Sequence, residues 1–159
     1  MKRISLLFVW VLTGLIPVLF PGCSQAPRYE AYKVFEDNSW NRFDIVTFSF
    51  EIAGPEELDL YFTIEYNPEQ VPDELRLNLT IQMPSGDERS ADYEVELAEE
   101  KEGYEKVCKE EWCRLAVPIR KSLSINDPGQ LLLEIENKYS RVELPGIREV
   151  GMLLKRSDQ

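Results

Sequence analysis

The sequence contains no histidine, and its basic residues are few, with 18 Lys and Arg against 29 Asp and Glu. The first absence excludes Ser–His and Cys–His nucleophile systems and metal sites that contain histidine. The acidic balance argues against nucleic-acid binding, which requires a basic surface. No long stretch has the 3.6-residue period of an amphipathic helix. We therefore expect neither an enzyme nor a nucleic-acid partner, and we expect no metal or other cofactor.

The amino terminus has the anatomy of an export signal. Lys2 and Arg3 precede an apolar run over residues 4–20, which is short for a bilayer span of about 20 residues. Cys23 follows Gly22 as in a lipobox, where the cysteine sulfur takes a diacylglyceryl group before cleavage. We predict a lipoprotein signal peptide over residues 1–22. The alternative is an ordinary secretory cut near Ser24-Gln25-Ala26, although Pro27 after the cut would hinder cleavage.

Acylation of Cys23 would hold the protein to a membrane, since each buried CH₂ contributes about 0.8 kcal/mol. Loss of residues 1–22 removes Lys2, Arg3 and no acid, so the net charge falls from −11 to −13. Such a chain has little electrostatic attraction to an anionic lipid surface, which leaves the lipid as its membrane contact. Ser24 and Gln25 follow the anchor without an aspartate. We expect an outer-membrane anchor with the domain facing the periplasm.

Lipidation of Cys23 leaves Cys108 and Cys113, and disulfides persist in exported proteins. On a straight strand the two would lie about 16 Å apart, too far for a bridge. A disulfide therefore requires residues 109–112 to turn, and its small ring would stabilise the fold by about 2 kcal/mol. Two free thiols, or a metal-binding pair, are the alternatives.

Apolar residues alternate with polar ones along most of the chain after residue 29, which is typical of antiparallel strands with one buried face. Turn-forming Gly, Pro, Asn and Asp residues separate these runs. We predict a tether over residues 23–29 and, over residues 30–159, an antiparallel β-sandwich of about eight strands, similar to a jelly roll. Residues 98–111 are highly charged and are expected to form a solvated loop. The apolar runs are Val46–Ile52, Leu58–Tyr66, Leu75–Met83, Tyr93–Leu97, Leu115–Ile119, Leu131–Ile135 and Val150–Leu154.

Four aromatic residues are candidates for binding: Trp40, Tyr61, Tyr104 and Trp112. Tyr61 is out of phase with the core residue Phe62, and the other three lie in connections. Exposed Trp and Tyr contribute strongly to interfaces and stack on sugar rings. The alternative is that Trp40 and Trp112 cover the open ends of the sandwich, because large aromatic side chains are mostly buried.

Several motifs together resemble the gliding-motility lipoproteins of the GldH type. The resemblance implies an envelope lipoprotein that faces the periplasm and is associated with the gliding apparatus and its linked secretion system, without catalytic residues. Glu65 stands where the family usually has a basic residue. The matching features are the lipobox, Trp40 before Phe43, the strands Val46–Ile52 and Leu58–Tyr66, Pro72, Leu75–Met83 with Pro84-Ser85-Gly86, Pro128-Gly129 with Leu131–Glu136, Leu144-Pro145-Gly146-Ile147 and Val150-Gly151.

These observations support two hypotheses. In the first, the protein is a lipid-anchored, non-enzymatic envelope component that acts through protein–protein contacts, as part of the gliding machinery or accessory to it. In the second, the same fold binds carbohydrate, since a β-sandwich by itself does not specify a function.

The lipoprotein hypothesis predicts a mature chain that begins at a diacylated Cys23, with residues 1–22 removed. Mass spectrometry of the amino-terminal peptide from the native membrane measures this directly. An unacylated amino terminus, or a chain that retains residues 1–22, would contradict the hypothesis.

Overall fold

The computed structural model describes residues 28–99 and 101–157, so Cys23 and the predicted signal peptide lie outside the described residues. All regular structure in these ranges is β-strand, and no helix in them is long and apolar enough to cross a membrane. The strands are β1 (Tyr29–Val34), β2 (Ser39–Asn41), β3 (Val46–Ile52), β4 (Glu56–Tyr66), β5 (Glu74–Gln82), β6 (Glu88–Glu96), β7 (Glu105–Lys109), β8 (Trp112–Ile125), β9 (Gly129–Asn137), β10 (Glu143–Pro145) and β11 (Ile147–Arg156).

The strands form two antiparallel sheets that pack face to face. The five-stranded sheet has the order β1-β11-β4-β8-β7, and the four-stranded sheet has the order β3-β9-β5-β6. Strands β2 and β10 form a separate two-stranded ribbon. Without β7 and the ribbon, the remaining eight strands have the order of a jelly roll, in which the chain repeatedly crosses between the sheets. The predicted antiparallel, jelly-roll-like β-sandwich is confirmed.

The core lies between the sheets and is built from one parity of each strand. In β3 the residues alternate strictly between buried and exposed, and β4, β5 and β9 place their apolar residues inward in the same way. Two-residue periodicity gives each strand one apolar face, and the two apolar faces exclude water when the sheets meet. Fully buried residues include Phe62, Leu131 and Met152.

Eleven strands are present in the described part of the chain where about eight were expected, because four lack a clear alternation. Strand β1 is mostly exposed and starts at Tyr29, within the predicted tether. The ribbon strands β2 and β10 are three residues long. We expected the charged segment 98–111 to be a loop. Part of it instead forms β7, which pairs with β8. The side chains on both faces of β7 are mostly exposed, so its sequence has no apolar periodicity that would predict a strand.

The cross-strand register gives the sandwich two distinct ends. Tyr29, at the start of β1, lies level with Leu154, Leu60 and Arg120 across the five-stranded sheet. We call this the entry end, because the chain enters the domain here. The opposite end, called the distal end, carries the β2–β10 ribbon and the connections over residues 42–45, 67–73 and 138–142.

Gly151 of β11 lies in a tight space in the five-stranded sheet. A Cβ atom added at this position would lie 2.7 Å from Thr63 Oγ1 and 2.8 Å from the carbonyl oxygen of Ala31, and it would collide with the Tyr32 ring. The ring can move aside, but the backbone carbonyl is held in the β1–β11 pairing. A glycine at this position therefore lets Tyr32 lie flat across the sheet.

Gly151→Ala should lower the free energy of unfolding by about 1–3 kcal/mol, because the added methyl group overpacks this part of the sheet. Urea denaturation of both proteins measures the difference. Gly54→Ala is the matched control, since no atom lies within 4 Å of its added Cβ, and it should change stability by less than about 0.5 kcal/mol. Equal effects of the two substitutions would contradict this account of Gly151.

Candidate interaction surface

Trp40 was a candidate binding residue, and the structure places its side chain completely inside the domain. The indole stacks on Phe35 with ring centroids 5.7 Å apart, and its Nε1 donates a hydrogen bond to the carbonyl oxygen of Asp44 at 2.9 Å. Trp40 therefore closes the distal end of the sandwich, as the alternative reading proposed. A buried indole usually finds an acceptor for its N–H, and here the acceptor lies in the next turn of the chain.

Trp112 is half-buried at the start of β8 and lies against a basic side chain. The Arg148 guanidinium carbon is 3.7 Å from the centre of the indole ring, which is a close cation–π contact. Arg148 Nη1 also donates to Glu65 Oε1 at 3.1 Å. Such contacts contribute about 0.5–1 kcal/mol when partly exposed. One face of Trp112 is thus occupied by Arg148 and fixed in position.

Glu65 connects this stack to a second arginine. Arg114 Nη2 donates to Glu65 Oε2 at 3.0 Å and lies 2.9 Å from Glu149 Oε1. Burial lowers the pKa of Arg114, but the hydrogen bond to Glu65 and the charges of Glu149 and Glu65 outweigh it, so the pKa is raised overall. The guanidinium therefore stays charged. Glu65 acts here as an acceptor between two arginines, an arrangement that suits an ionic cross-link of β4, β8 and β11.

Tyr61 and Tyr104 complete the set of predicted aromatic residues, and the four do not form one platform. Tyr61 is half-buried on the outer face of β4, with Lys155 Nζ 4.6 Å from its ring centre. Tyr104 packs against the core. Trp112 lies about six residues further along the sheet than Tyr61, on the order of 20 Å away. Carbohydrate binding by these four residues would therefore lack a continuous stacking surface.

The predicted disulfide between Cys108 and Cys113 is confirmed, with the two Cα atoms 4.0 Å apart. The cysteines face each other in the β7–β8 register, and the chain reverses at Glu110 and Glu111 as the bridge requires. Glu110 has a φ angle of 57°, which is uncommon for a residue with a Cβ atom. The bridge holds the hairpin in the conformation that places Trp112 beside Arg148.

Exposed apolar side chains collect toward the distal end, and the sequence analysis did not identify them as a surface. Phe43 is 74% exposed and Ile45 is 57% exposed, and both line a groove of about 660 Å³. Tyr32 and Phe35 form the opposite wall, so the groove lies between the edge strands β1 and β3. We call it the β1–β3 groove. The sequence did contain a signal for this surface. Phe43 and Ile45 are apolar, but they precede the strand and are out of phase with its buried positions, which start at Val46.

The model of the GldH lipoprotein family matches residues 28–154, from the entry of β1 to near the end of β11. The chain belongs to the GldH lipoprotein family. Comparisons with curated proteins and with solved structures gave no match. The resemblance found in the sequence is confirmed, and this GldH-family protein is accordingly a lipoprotein of the cell envelope associated with gliding motility.

Several charged residues of this GldH-family protein form ion pairs. Within residues 28–99 and 101–157, no group of three or more Cys, Asp or Glu side chains is arranged to hold a metal ion. In the charged segment before β8, Lys101 Nζ lies 3.3 Å from Glu96 Oε2, and Glu105 lies 3.5 Å from Lys155. These exposed pairs contribute at most about 1 kcal/mol each.

Reduction of the Cys108–Cys113 bridge should lower the free energy of unfolding by about 2 kcal/mol, because the bridge restricts a small loop in the unfolded chain. Urea denaturation with and without a thiol reductant measures the change. The double variant Cys108→Ser/Cys113→Ser is the control and should not respond to the reductant. An equal response in both proteins would show that the reductant acts elsewhere.

Proposed function

We propose that this protein is a lipid-anchored envelope component that binds another protein through the β1–β3 groove. It would act as part of the gliding machinery or as an accessory to it, without catalysing a reaction. Membership of the GldH lipoprotein family supports the association with motility. The observation that carries the protein-contact role is the pair of exposed apolar side chains, Phe43 and Ile45, on the wall of the β1–β3 groove.

The proposed anchor is Cys23, with the outer membrane as its site and the domain in the periplasm. The backbone N–H of Arg28 donates a hydrogen bond to the carbonyl oxygen of Leu154 near the end of β11, so Arg28 belongs to the folded domain. Four residues lie between Cys23 and Arg28, and the five steps from one Cα atom to the other span at most about 18 Å. The entry end would therefore lie near the lipid, and the β1–β3 groove would face away from it.

The groove has the properties of a protein contact surface. Aromatic anchors dominate binding energy at interfaces, and Phe43 offers nearly its whole ring. Arg42 lies beside this ring, with its guanidinium carbon 5.7 Å from the ring centre. Strand β3 is an edge strand with no Lys, Pro or Gly, so it lacks the usual features that block the addition of another strand. A partner segment in extended conformation would fit this edge.

The absence of catalysis is also part of the proposal. Glu51 and Glu65 do not face each other as an acid–base pair, since Glu51 is on β3 and Glu65 is on β4 of the other sheet. Glu65 is engaged by two arginines. Histidine is absent from the sequence.

Phe43→Asp and Ile45→Asp should each abolish recovery of the proteins that co-purify with the tagged chain from its native membrane, and should reduce colony spreading. A charge on the groove wall would have to be desolvated on binding, which costs several kcal/mol. Quantitative mass spectrometry of the co-purified proteins and a spreading assay measure the two effects.

Val107→Asp is the matched control, because Val107 is 72% exposed but lies on β7, outside the groove. It should leave co-purification and spreading unchanged. Membrane fractionation should recover all three variants with the membrane, as expected for an intact anchor. If the groove variants retain every partner and spread normally, the proposed contact surface is wrong.

A further inference from the structure

Two arginines occupy positions where the sandwich otherwise places apolar side chains. Arg89 of β6 pairs with the core residue Ile81, and Arg120 of β8 pairs with the core residue Leu60. Residues directly opposite each other on antiparallel strands project from the same face of the sheet. Both arginines therefore lie on the inner faces of their sheets, one in each sheet, at the side of the sandwich where β6 and β8 lie.

The two arginines line one cavity of about 280 Å³. Leu123 and Ile81 contribute apolar surface, and the remaining polar groups are the hydroxyls of Ser122 and Ser124 and the amide of Asn126. Guanidinium, hydroxyl and amide groups all donate hydrogen bonds. The cavity is thus lined by donors, and no carboxylate belongs to its wall.

The charge of this cavity is unusual for so acidic a chain, whose net charge is −11. Among the ion pairs of the described residues, none includes Arg89 or Arg120, although seven other basic residues are paired. Asp87 and Asp127 line a smaller neighbouring cavity that Arg89 also borders. Arg120 is half-buried and Arg89 is exposed, so both guanidinium groups are open to an anion that enters the cavity.

The backbone of β8 is distorted so that Arg120 faces this cavity. The β4–β8 register shifts on both sides of Arg120, between Leu58 and Leu60 and again between Leu60 and Tyr61. Such bulges change which face of the sheet a side chain occupies. Ser122 has a φ angle of 52°, and its N–H donates to Asp59 Oδ1 at 2.9 Å. Backbone strain of this kind is found at binding sites more often than elsewhere.

We propose that Arg89 and Arg120 form a binding site for a phosphate-bearing ligand. Guanidinium groups bind phosphate oxygens in a bidentate manner, and the Ser122, Ser124 and Asn126 side chains supply further donors. Two arginines from opposite sheets hold the anion between them, so the site closes the open side of the sandwich when it is occupied.

Two sources supply such a group: a phospholipid headgroup and a soluble phosphate. The site lies level with the entry end, because Arg120 is in register with Leu60, Leu154 and Tyr29. Three strand spacings of about 4.8 Å separate Arg120 from Tyr29 across the sheet. With the anchor at Cys23 that the proposed function requires, this end of the domain lies within reach of lipid headgroups.

The test uses the full chain, purified in a sugar detergent that contains no phosphate. Isothermal titration calorimetry with inorganic phosphate, against chloride at equal ionic strength, measures binding of the soluble anion. A second titration compares dihexanoyl phosphatidylglycerol with dihexanoylglycerol, which has the same acyl chains and no phosphate. Binding of at least one phosphate-bearing probe, without binding of its phosphate-free counterpart, is the expected result.

Arg89→Gln and Arg120→Gln should each weaken this binding about tenfold or more, because each removes a charged bidentate donor. Lys121→Gln is the matched control, since Lys121 is exposed beside Arg120 but does not line the cavity, and it should bind as the wild type does. Circular dichroism checks the fold, and Arg→Lys variants replace any Gln variant that does not fold. Phe43→Asp should leave phosphate binding unchanged, which separates this site from the β1–β3 groove.

Tighter binding of phosphatidylglycerol than of inorganic phosphate identifies the lipid headgroup as the ligand, and the reverse order identifies soluble phosphate. Both outcomes support the site. If neither probe binds, or if both Gln variants bind as tightly as the wild type, the proposal is overturned. Arg89 would then serve only to keep edge strand β6 from pairing with another chain.

Discussion

The pairing of β4 with β11 on one side and β8 on the other is the constraint on which the rest of this structure depends. Strand β4 is eleven residues long and lies at the centre of the five-stranded sheet. Its register with both neighbours decides which side chains enter the core and which reach the surface, since a slip of one residue would exchange the two faces. Phe62 and Ile64 are thereby placed inside, and Tyr61 and Glu65 outside.

The same register assembles the outer-face ion network. Glu149, Glu65 and Arg114 lie side by side on β11, β4 and β8, so three strands contribute to one charged row. Arg148 extends the row to Trp112, which the disulfide hairpin holds in position. Charged pairs at the surface are individually weak, but a connected row of them on a paired sheet resists shear between strands more than isolated pairs do. The ion network thus stabilises the sheet and also favours this register of its strands.

Much of the sandwich was predictable because burial on one face imposes a period of two. The runs that begin at Val46, Leu58 and Leu75 are strands in the structure, with their apolar parity inside. Edge strands such as β1 and β7 were not predicted from the sequence, because side chains that are mostly exposed on both faces leave no such period. The bridge between Cys108 and Cys113 was predictable from export chemistry and from the turn it requires.

The sites were harder to predict than the fold, for a physical reason. Trp40 lies on a strand of three residues, too short for a period to show that it points inward. Arg89 shares the parity of Tyr93 and Val95 in β6, so its inward position could have been deduced. Arg120 could not, because a bulge changes its parity relative to Leu115 and Val117. Where the backbone is irregular, periodicity does not show which way a side chain points. In this structure the hydrogen-bond donors around Arg120 lie at such a place.

The position of β11 has a consequence for how the chain acquires its structure during translocation. Among the described strands, β1 pairs with β11 alone, although more than one hundred residues of sequence separate the two, roughly the extent of a typical domain. A polypeptide that crosses a membrane amino terminus first therefore keeps this segment unpaired until its last strand has arrived. Pairings of such long range form slowly. The part of the domain next to the proposed lipid would be the last to become ordered, and a chaperone would have most to protect there.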